Sequence, residues 1–242
     1  TLNKKLLRDL WQRKALSLAM VVIIAIAMAC YVGMAGIYKD LNTAKTSYYN
    51  SLHLTNLEIQ LKNAPKSILN TLHADHVTAL RGRIAEDIMT VLPGKANGRD
   101  TRPIPGIVLS MPFHRQPNIN RIILDKGTYF TSPVAAEAIV VKQFADAWHL
   151  RPGEWIKVRL PDGERRVQIV GTAYTPEYVF ITSPGIALAP DPTGYAVLFM
   201  PRQYVQKMSG LDNGFNQLLA LTDNNAPAIV DHAMTQLGRA LD

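Results

Sequence analysis

The sequence predicts an α+β protein: one membrane-crossing helix near the N-terminus, running on as a helical stalk, then a mixed α/β outer domain of two subdomains. Three observations carry that expectation. A single long apolar run lies between Ala15 and Ile37. Helical periodicity continues past it to Leu52. From Leu57 onward, two-residue alternation and helical spacing take turns in short stretches.

Between Ala15 and Ile37, Ser17 is the only clearly polar side chain. At about 1.5 Å per helical residue this stretch reaches roughly 34 Å, enough to cross a bilayer. A secretory signal has an apolar region of only about 7–15 residues ahead of a small-residue cleavage site. Ala25-Ile26-Ala27 and Ala27-Met28-Ala29 resemble such sites, but the apolar run continues past both, which favours a retained helix. Cys30 reads as a small apolar member of that helix, because Ala27 and Met28 poorly match the residues that precede a lipid-bearing cysteine. Ala25, Ala29 and Gly33 recur every fourth residue and form a face on which a second helix can approach closely.

Ahead of the span, Leu2, Leu6, Leu7, Leu10 and Trp11 share one helical face, away from Lys4, Lys5 and Arg8. Residues 1–14 are therefore expected as an amphipathic basic segment on the cytoplasmic surface. Lys4, Lys5, Arg8, Trp11, Arg13 and Lys14 are its interface anchors. Basic flanks stay on the cytoplasmic side, and only Lys39 and Lys45 follow the span closely, so the remaining chain is expected outside the inner membrane.

The formal charge of +7 does not indicate nucleic acid. Five basic groups against Asp9 in the first fourteen residues supply four of those charges, leaving +3 for the other 228 residues. No Lys/Arg cluster with interleaved aromatics marks a nucleic-acid module. The single cysteine excludes an intramolecular disulfide, so the outer domain depends on its own core.

Ile37, Leu41, Ala44, Tyr48 and Leu52 keep returning to one side, which predicts a stalk over residues 38–54. The outer domain then occupies 55–242, with an inserted subdomain at about 115–192. Leu57, Ile59 and Leu61 alternate with Glu58, Gln60 and Lys62 as in a half-buried strand. Pro65 opens a helix over Lys66–Leu72. Strand-like runs follow at Ile104–Ser110, Arg121–Leu124 and Ala138–Val141, the last leading into a helix over Lys142–Leu150. Arg151-Pro152-Gly153 stops it. A hairpin comes next, Ile156, Val158 and Leu160 answering Val167 and Ile169 across Pro161-Asp162-Gly163. Tyr174–Pro192 reads as an irregular excursion, Tyr195–Met200 and Asn216–Thr222 as strands, and Pro227–Ala240 as a closing helix with Ile229, Ala233, Leu237 and Leu241 on one face. No internal repeat is visible.

No catalytic, cofactor or metal constellation stands out. Gly94-Lys95 lacks the earlier glycine and the following Ser or Thr of a phosphate loop, and no serine sits in G-x-S-x-G. His73, Asp75 and His76 lack further ligands nearby in sequence. Glu86 and Asp87 are adjacent and diverge on either a helix or a strand.

The stretches INRIILDKGTYF and EAIVVKQFADAWHLRPGEWIKVRLPDGERRVQIVGTAYTPEYVF resemble the extracytoplasmic domain of MacB/FtsX-type ABC-transporter permeases. That pattern runs L-x-x-G-R-Y-F, a strand, a helix ending G-L-R-P-G, and a hairpin ending I-V-G. Here Thr128 replaces the usual Arg, and His149 stands where Gly is common. The basic N-terminus, span and stalk fit the same pattern. The resemblance implies a non-catalytic permease subunit: a cytoplasmic ATPase drives membrane helices, and stalks relay the motion to an outer domain for export, lipoprotein extraction or control of an envelope partner. It also implies a second permease half or a homodimer, and a periplasmic adaptor, as partners. The family pattern continues with three more membrane helices, so the end at Asp242 suggests a portion of a longer permease or a truncated relative. The rival expectation is a single-pass sensor or adaptor with an α/β binding domain, although fourteen cytoplasmic residues cannot form a signalling domain. A membrane-tethered enzyme is a third, without any named catalytic group.

Overall fold

The computed structural model describes residues 14–92, 103–160, 163–182 and 189–241. The apolar run and its periodic extension form one unbroken helix, α1 (Lys14–Ser51), of 38 residues. At about 1.5 Å per residue it reaches roughly 57 Å, nearly twice the ~30 Å hydrocarbon core of a bilayer. It is long and apolar enough to cross a membrane, and its apolar window has no residue buried by the rest of the chain. The anchor residues Lys4, Lys5, Arg8, Trp11 and Arg13 lie outside the described residues, while Lys14 opens α1. The chain divides into a unit ending at Tyr48 and a compact unit Tyr49–Asp242.

The helix stops three residues short of the predicted stalk boundary, and its end is capped. Leu54 N donates to Tyr49 O at 3.0 Å and His53 N to Asn50 O at 3.2 Å, with His53 at φ 51°. This is the Schellman closure, in which a left-handed residue after the helix satisfies its last carbonyls. Leu52 is therefore not a residue of the helix but the first beyond it, and it is buried.

In the second unit the chain first makes β1 (Leu57–Pro65), a 3-10 turn (Lys66–Asn70) and β2 (Val77–Arg83). Next come β3 (Ala85–Val91), β4 (Ile104–Met111), β5 (Ile123–Gly127), β6 (Glu137–Val141) and α2 (Lys142–Trp148). Then follow β7 (Trp155–Leu160), β8 (Gly163–Tyr174), β9 (Ala196–Pro201) and α3 (Arg202–Ser209). The described chain closes with β10 (Gly214–Thr222) and α4 (Pro227–Leu241). The predicted helix after Pro65 is thus only a 3-10 turn, and β5 begins two residues later than its predicted strand.

β1, β10 and β2 form a three-stranded antiparallel sheet with β10 central. The alternation in β1 buries Leu57 and exposes Glu58, Gln60 and Lys62, as period-2 patterning requires. α4 lies against this sheet, burying Ala233 and Leu237 together with Phe215, Leu218 and Leu72. The face predicted for the closing helix is the one that packs.

From Arg83 the chain passes through Ile84 straight into β3 and returns to the small sheet only at β10. The intervening strands close on themselves. β3–β4, β9–β6, β8–β7 and β7–β3 pair antiparallel, and β4–β9 and β6–β8 pair parallel, which completes a ring of six. The long strand β8 carries β7 along its first half and β5 near its end. Closure leaves few unpaired strand edges, the exposed feature that sheets must otherwise protect. Within the range 115–192, β5 to β8 share their sheet with β3, β4 and β9, all outside that range.

The ring contains the same plan twice. The hairpin β3–β4 is followed by β6 and α2, and the hairpin β7–β8 by β9 and α3. Each helix starts directly after its strand and ends at a left-handed residue, His149 at φ 55° or Gly210 at φ 64°. The repeat that the sequence hides is topological, with Lys142-Gln143-Phe144-Ala145 answered by Arg202-Gln203-Tyr204-Val205. Every residue of β6 and β9 is buried, because one face looks into the ring and the other lies under helices. Phe144 and Val205 seal that outer layer, both fully buried.

Candidate functional site

Of the residues singled out from sequence, Ala25, Ala29 and Gly33 lie at successive turns of α1, all exposed. A Cβ added at Gly33 would meet nothing within 4 Å. Ile37, Leu41 and Ala44 are exposed too, Tyr48 is half-buried, and Leu52 falls past the end of the helix. Spacing places Ala25, Ala29 and Gly33, and Ile37, Leu41 and Ala44, along the helix, where each is exposed among the described residues.

No sequence pattern signals how the chain beyond α1 is held. Arg121 N donates to Leu52 O and Asn120 N to His53 O, each at 2.9 Å. His53 and Asn120 are both left-handed, at φ 51° and 54°, and face one another across these bonds. A ring nitrogen of His53, Nδ1, lies 2.8 Å from Asn118 O, and Asn120 Oδ1 accepts from Thr55 N at 2.7 Å. Leu52 to Thr55 are thereby stitched to Asn118 to Arg121, the loop between β4 and β5.

A second assembly lies where β2 leaves the small sheet. Arg81 and Arg83, two apart on β2, point to the same side and are both buried. Arg83 is matched in charge: Nε donates to Gln217 Oε1, and both Nη groups donate to the carboxylate of Glu177. Glu58 stands 3.9 Å away. Burial alone depresses a guanidinium, but the charge and hydrogen bonds of Glu177 outweigh it, and Arg83 is held above its ordinary pKa.

Arg81 is matched differently. Its Nη1 donates to Ile119 O at 2.7 Å and its Nη2 to Ser110 O at 3.0 Å, both neutral carbonyls. Burial, with Arg83 nearby, lowers its pKa to about 9. Arg202, at the start of α3, donates from Nη1 to Gly82 O at 3.4 Å, while its Nη2 is buried with no protein partner. A cavity of about 450 Å³ opens beside these groups, lined by Arg81, Arg115, Arg121 and Arg202 together with Ser110 and Gln116. This cluster has little signature in the sequence. Its one signal was two arginines spaced as strand neighbours in the apolar stretch VTALRGRIA.

The histidines do not converge. His76 Nδ1 lies 3.1 Å from Asp223 Oδ2, whereas Asp75 turns to Gln236 and His232. Among the described residues no three His, Cys, Asp or Glu side chains form a group able to hold a metal. Glu86 and Asp87 diverge on β3: Glu86 accepts from Asn216 Nδ2 at 3.3 Å, and Asp87 is exposed. Partial burial holds the Glu86 carboxyl above its usual range.

No protein-family model matches this chain, and no curated protein matches it. Among solved structures, the chain is similar to the extracellular domain of the noncanonic ABC-type transporter YknZ from Gram-positive bacteria. The identity there is 11%, the TM-score 0.45, and the match covers 76% of this chain and 90% of that one. It is also similar to the periplasmic region of MacB from Actinobacillus actinomycetemcomitans, at 14% identity and TM-score 0.41, over 76% of this chain and 75% of that one.

Proposed function

We propose that this chain supplies the N-terminal membrane helix and outer domain of a MacB/FtsX-type permease subunit, which relays motion driven by a partner ATPase to the extracytoplasmic side. The observation that carries the reading is the unbroken course of α1, 38 residues from Lys14 to Ser51, ending in a closed cap. A tether needs only about 20 residues to cross the bilayer, and a flexible joint can follow it. A continuous helix more than half again that length transmits displacement instead of absorbing it. The sequence resemblance adds the family context, and the basic N-terminal flank adds the orientation, with the outer domain beyond the inner membrane.

The test is a kink. Proline at Ala44 removes one helical hydrogen bond and clashes with the preceding turn, at a cost of roughly 3 kcal/mol. Ala44 is exposed and lies in the unit that ends at Tyr48, so the outer domain should fold normally. Ala44→Pro is expected to preserve insertion and ATP hydrolysis by the partner while abolishing the envelope function in cells. Ala44→Leu, which retains the helix, should behave as wild type. Equal function of both variants at matched protein levels would show that the outer domain is a tethered sensor or adaptor.

A further inference from the structure

We infer that the arginine-lined cavity beside β2 is a binding site for a phosphate-bearing anion. Four arginines line it, Arg81, Arg115, Arg121 and Arg202, and no Asp or Glu is among its lining residues. Arginine recognises phosphate well because its planar fork donates in pairs and keeps its charge.

The contrast between neighbouring arginines on β2 carries the argument. Arg83 is buried and the protein supplies its counter-charge, with Glu177 gripped at both oxygens and Glu58 close by. Arg81 is buried as well, yet its partners are two backbone carbonyls, which bring no charge. Glu177, whose field reaches Arg81, is already taken by Arg83. A guanidinium has five N–H donors, so these two bonds leave Arg81 with donors unspent. Arg202 adds a buried Nη2 that no protein atom accepts. Buried cations without counter-charge are costly and are ordinarily paired or bound to ions. A fold that pairs buried Arg83 with such care, and leaves buried Arg81 and half-buried Arg202 lining a cavity of about 450 Å³ with no carboxylate bonded to either, has a place prepared for an outside anion.

Charge count selects the ligand class. Four cations and no lining acid suit a multiply charged or polydentate oxyanion better than one carboxylate. Phosphate chemistry meets that need, either as a free polyphosphate group or as the headgroup of an anionic phospholipid. The inference is independent of the relay and stands if the chain is only a tethered module.

The full chain in a non-ionic detergent is titrated calorimetrically with inorganic pyrophosphate and with glycerophosphoglycerol, the soluble headgroup of phosphatidylglycerol, at ionic strength fixed with chloride. Saturable binding of at least one of them is expected. Arg202→Gln should weaken it at least tenfold, as expected for loss of a charged hydrogen bond. Arg115→Gln, at an exposed position with little risk to the fold, should weaken it severalfold, while Arg151→Gln, exposed and not among the lining residues, should leave it unchanged. Preference for glycerophosphoglycerol assigns the site to lipid, and preference for pyrophosphate assigns it to a free phosphate ligand. Absence of saturable binding of either probe, or binding that all three variants retain equally, overturns the inference.

Discussion

Arg83 grips Glu177 with both ends of its guanidinium, Nη1 to Oε2 at 2.8 Å and Nη2 to Oε1 at 2.6 Å. The two residues belong to different sheets: Arg83 ends β2 of the three-stranded sheet, and Glu177 follows β8 of the closed ring. A buried ion pair is thus a fastening between two separately cored sheets. Glu177→Gln retains the shape and removes the charge, leaving Arg83 with only Glu58, 3.9 Å away and half in solvent, as counter-charge. Such a loss typically costs about 3–5 kcal/mol. Equilibrium unfolding in denaturant should show a shift of that size; a change below about 1 kcal/mol, the worth of an exposed pair, would mean that water already screens this one.

How much of this was legible follows from where the information lies. α1, β1, the β7–β8 hairpin and α4 are visible because each carries its own period: apolar length, alternation around Glu58 and Gln60, Gly163 at the turn, Ala233 and Leu237 on one face. β2 was missed because Arg81, Gly82 and Arg83 break its apolar alternation, yet all three are buried. Gly82 is needed there: a Cβ would meet the Phe215 ring at 2.6 Å. β3 opens with Ala-Glu-Asp, and α3 is an eight-residue helix directly behind Pro201, too short for its spacing to declare itself. The ring could not be read locally, because the pairings β4–β9 and β7–β3 join segments far apart in the chain. The arginine cavity was hidden for the same reason, its lining coming from β2, the loop after β4 and α3.

Asn120 offers a test of the stitch beyond α1. Its side chain accepts from Thr55 N at 2.7 Å, and its backbone sits at φ 54°, where alanine is strained by about 1–2 kcal/mol. Asn120→Ala forfeits both and should destabilise the Tyr49–Asp242 unit by roughly 2–4 kcal/mol. Asn120→Gly keeps the backbone and should lose only the part owed to the hydrogen bond. Amide exchange at Thr55 should quicken in both. Protection at Thr55 equal to wild type would mean that the stitch is held by the backbone bonds alone.

Gly33 tests the small-residue face. A leucine there is at least as compatible with lipid as glycine, and nothing within the chain stands in its way. Gly33→Leu should therefore insert normally and reduce co-purification of partner membrane helices severalfold. Undiminished recovery of those helices would assign this face to lipid.

Tyr129 predicts an alkaline dependence. Its hydroxyl donates to Pro112 O at 2.8 Å, and burial, only partly opposed by Arg81, pushes its pKa up to about 12. In the unfolded chain a tyrosine ionises near pH 10, so between about pH 10 and 12 the unfolded state holds fewer protons and stability falls as pH rises. Below about pH 10 the contribution is intact. Tyr129→Phe should flatten this part of the stability profile and delete one late step from an ultraviolet titration of tyrosinate. A late step that persists in the variant belongs to another tyrosine, Tyr178 being the next candidate, since burial raises it as well.

The doubled plan of the ring sets a timetable for its making. β4 finds its parallel neighbour in β9 of the other half, and β6 finds its own in β8, so each half borrows a strand from its twin. Neither half can finish alone. As the chain is delivered N-terminal end first, β3 and β4 are the first strands of the ring to appear, and some eighty-five residues must follow β4 before β9 arrives. During that interval Val108 and Leu109, destined for zero exposure, have no completed sheet to enter. Such waiting apolar strands are the usual source of misassembly in slow, long-range topologies. Growth at low temperature or with abundant holding chaperones thus protects the newborn ring at the stage when it is half made.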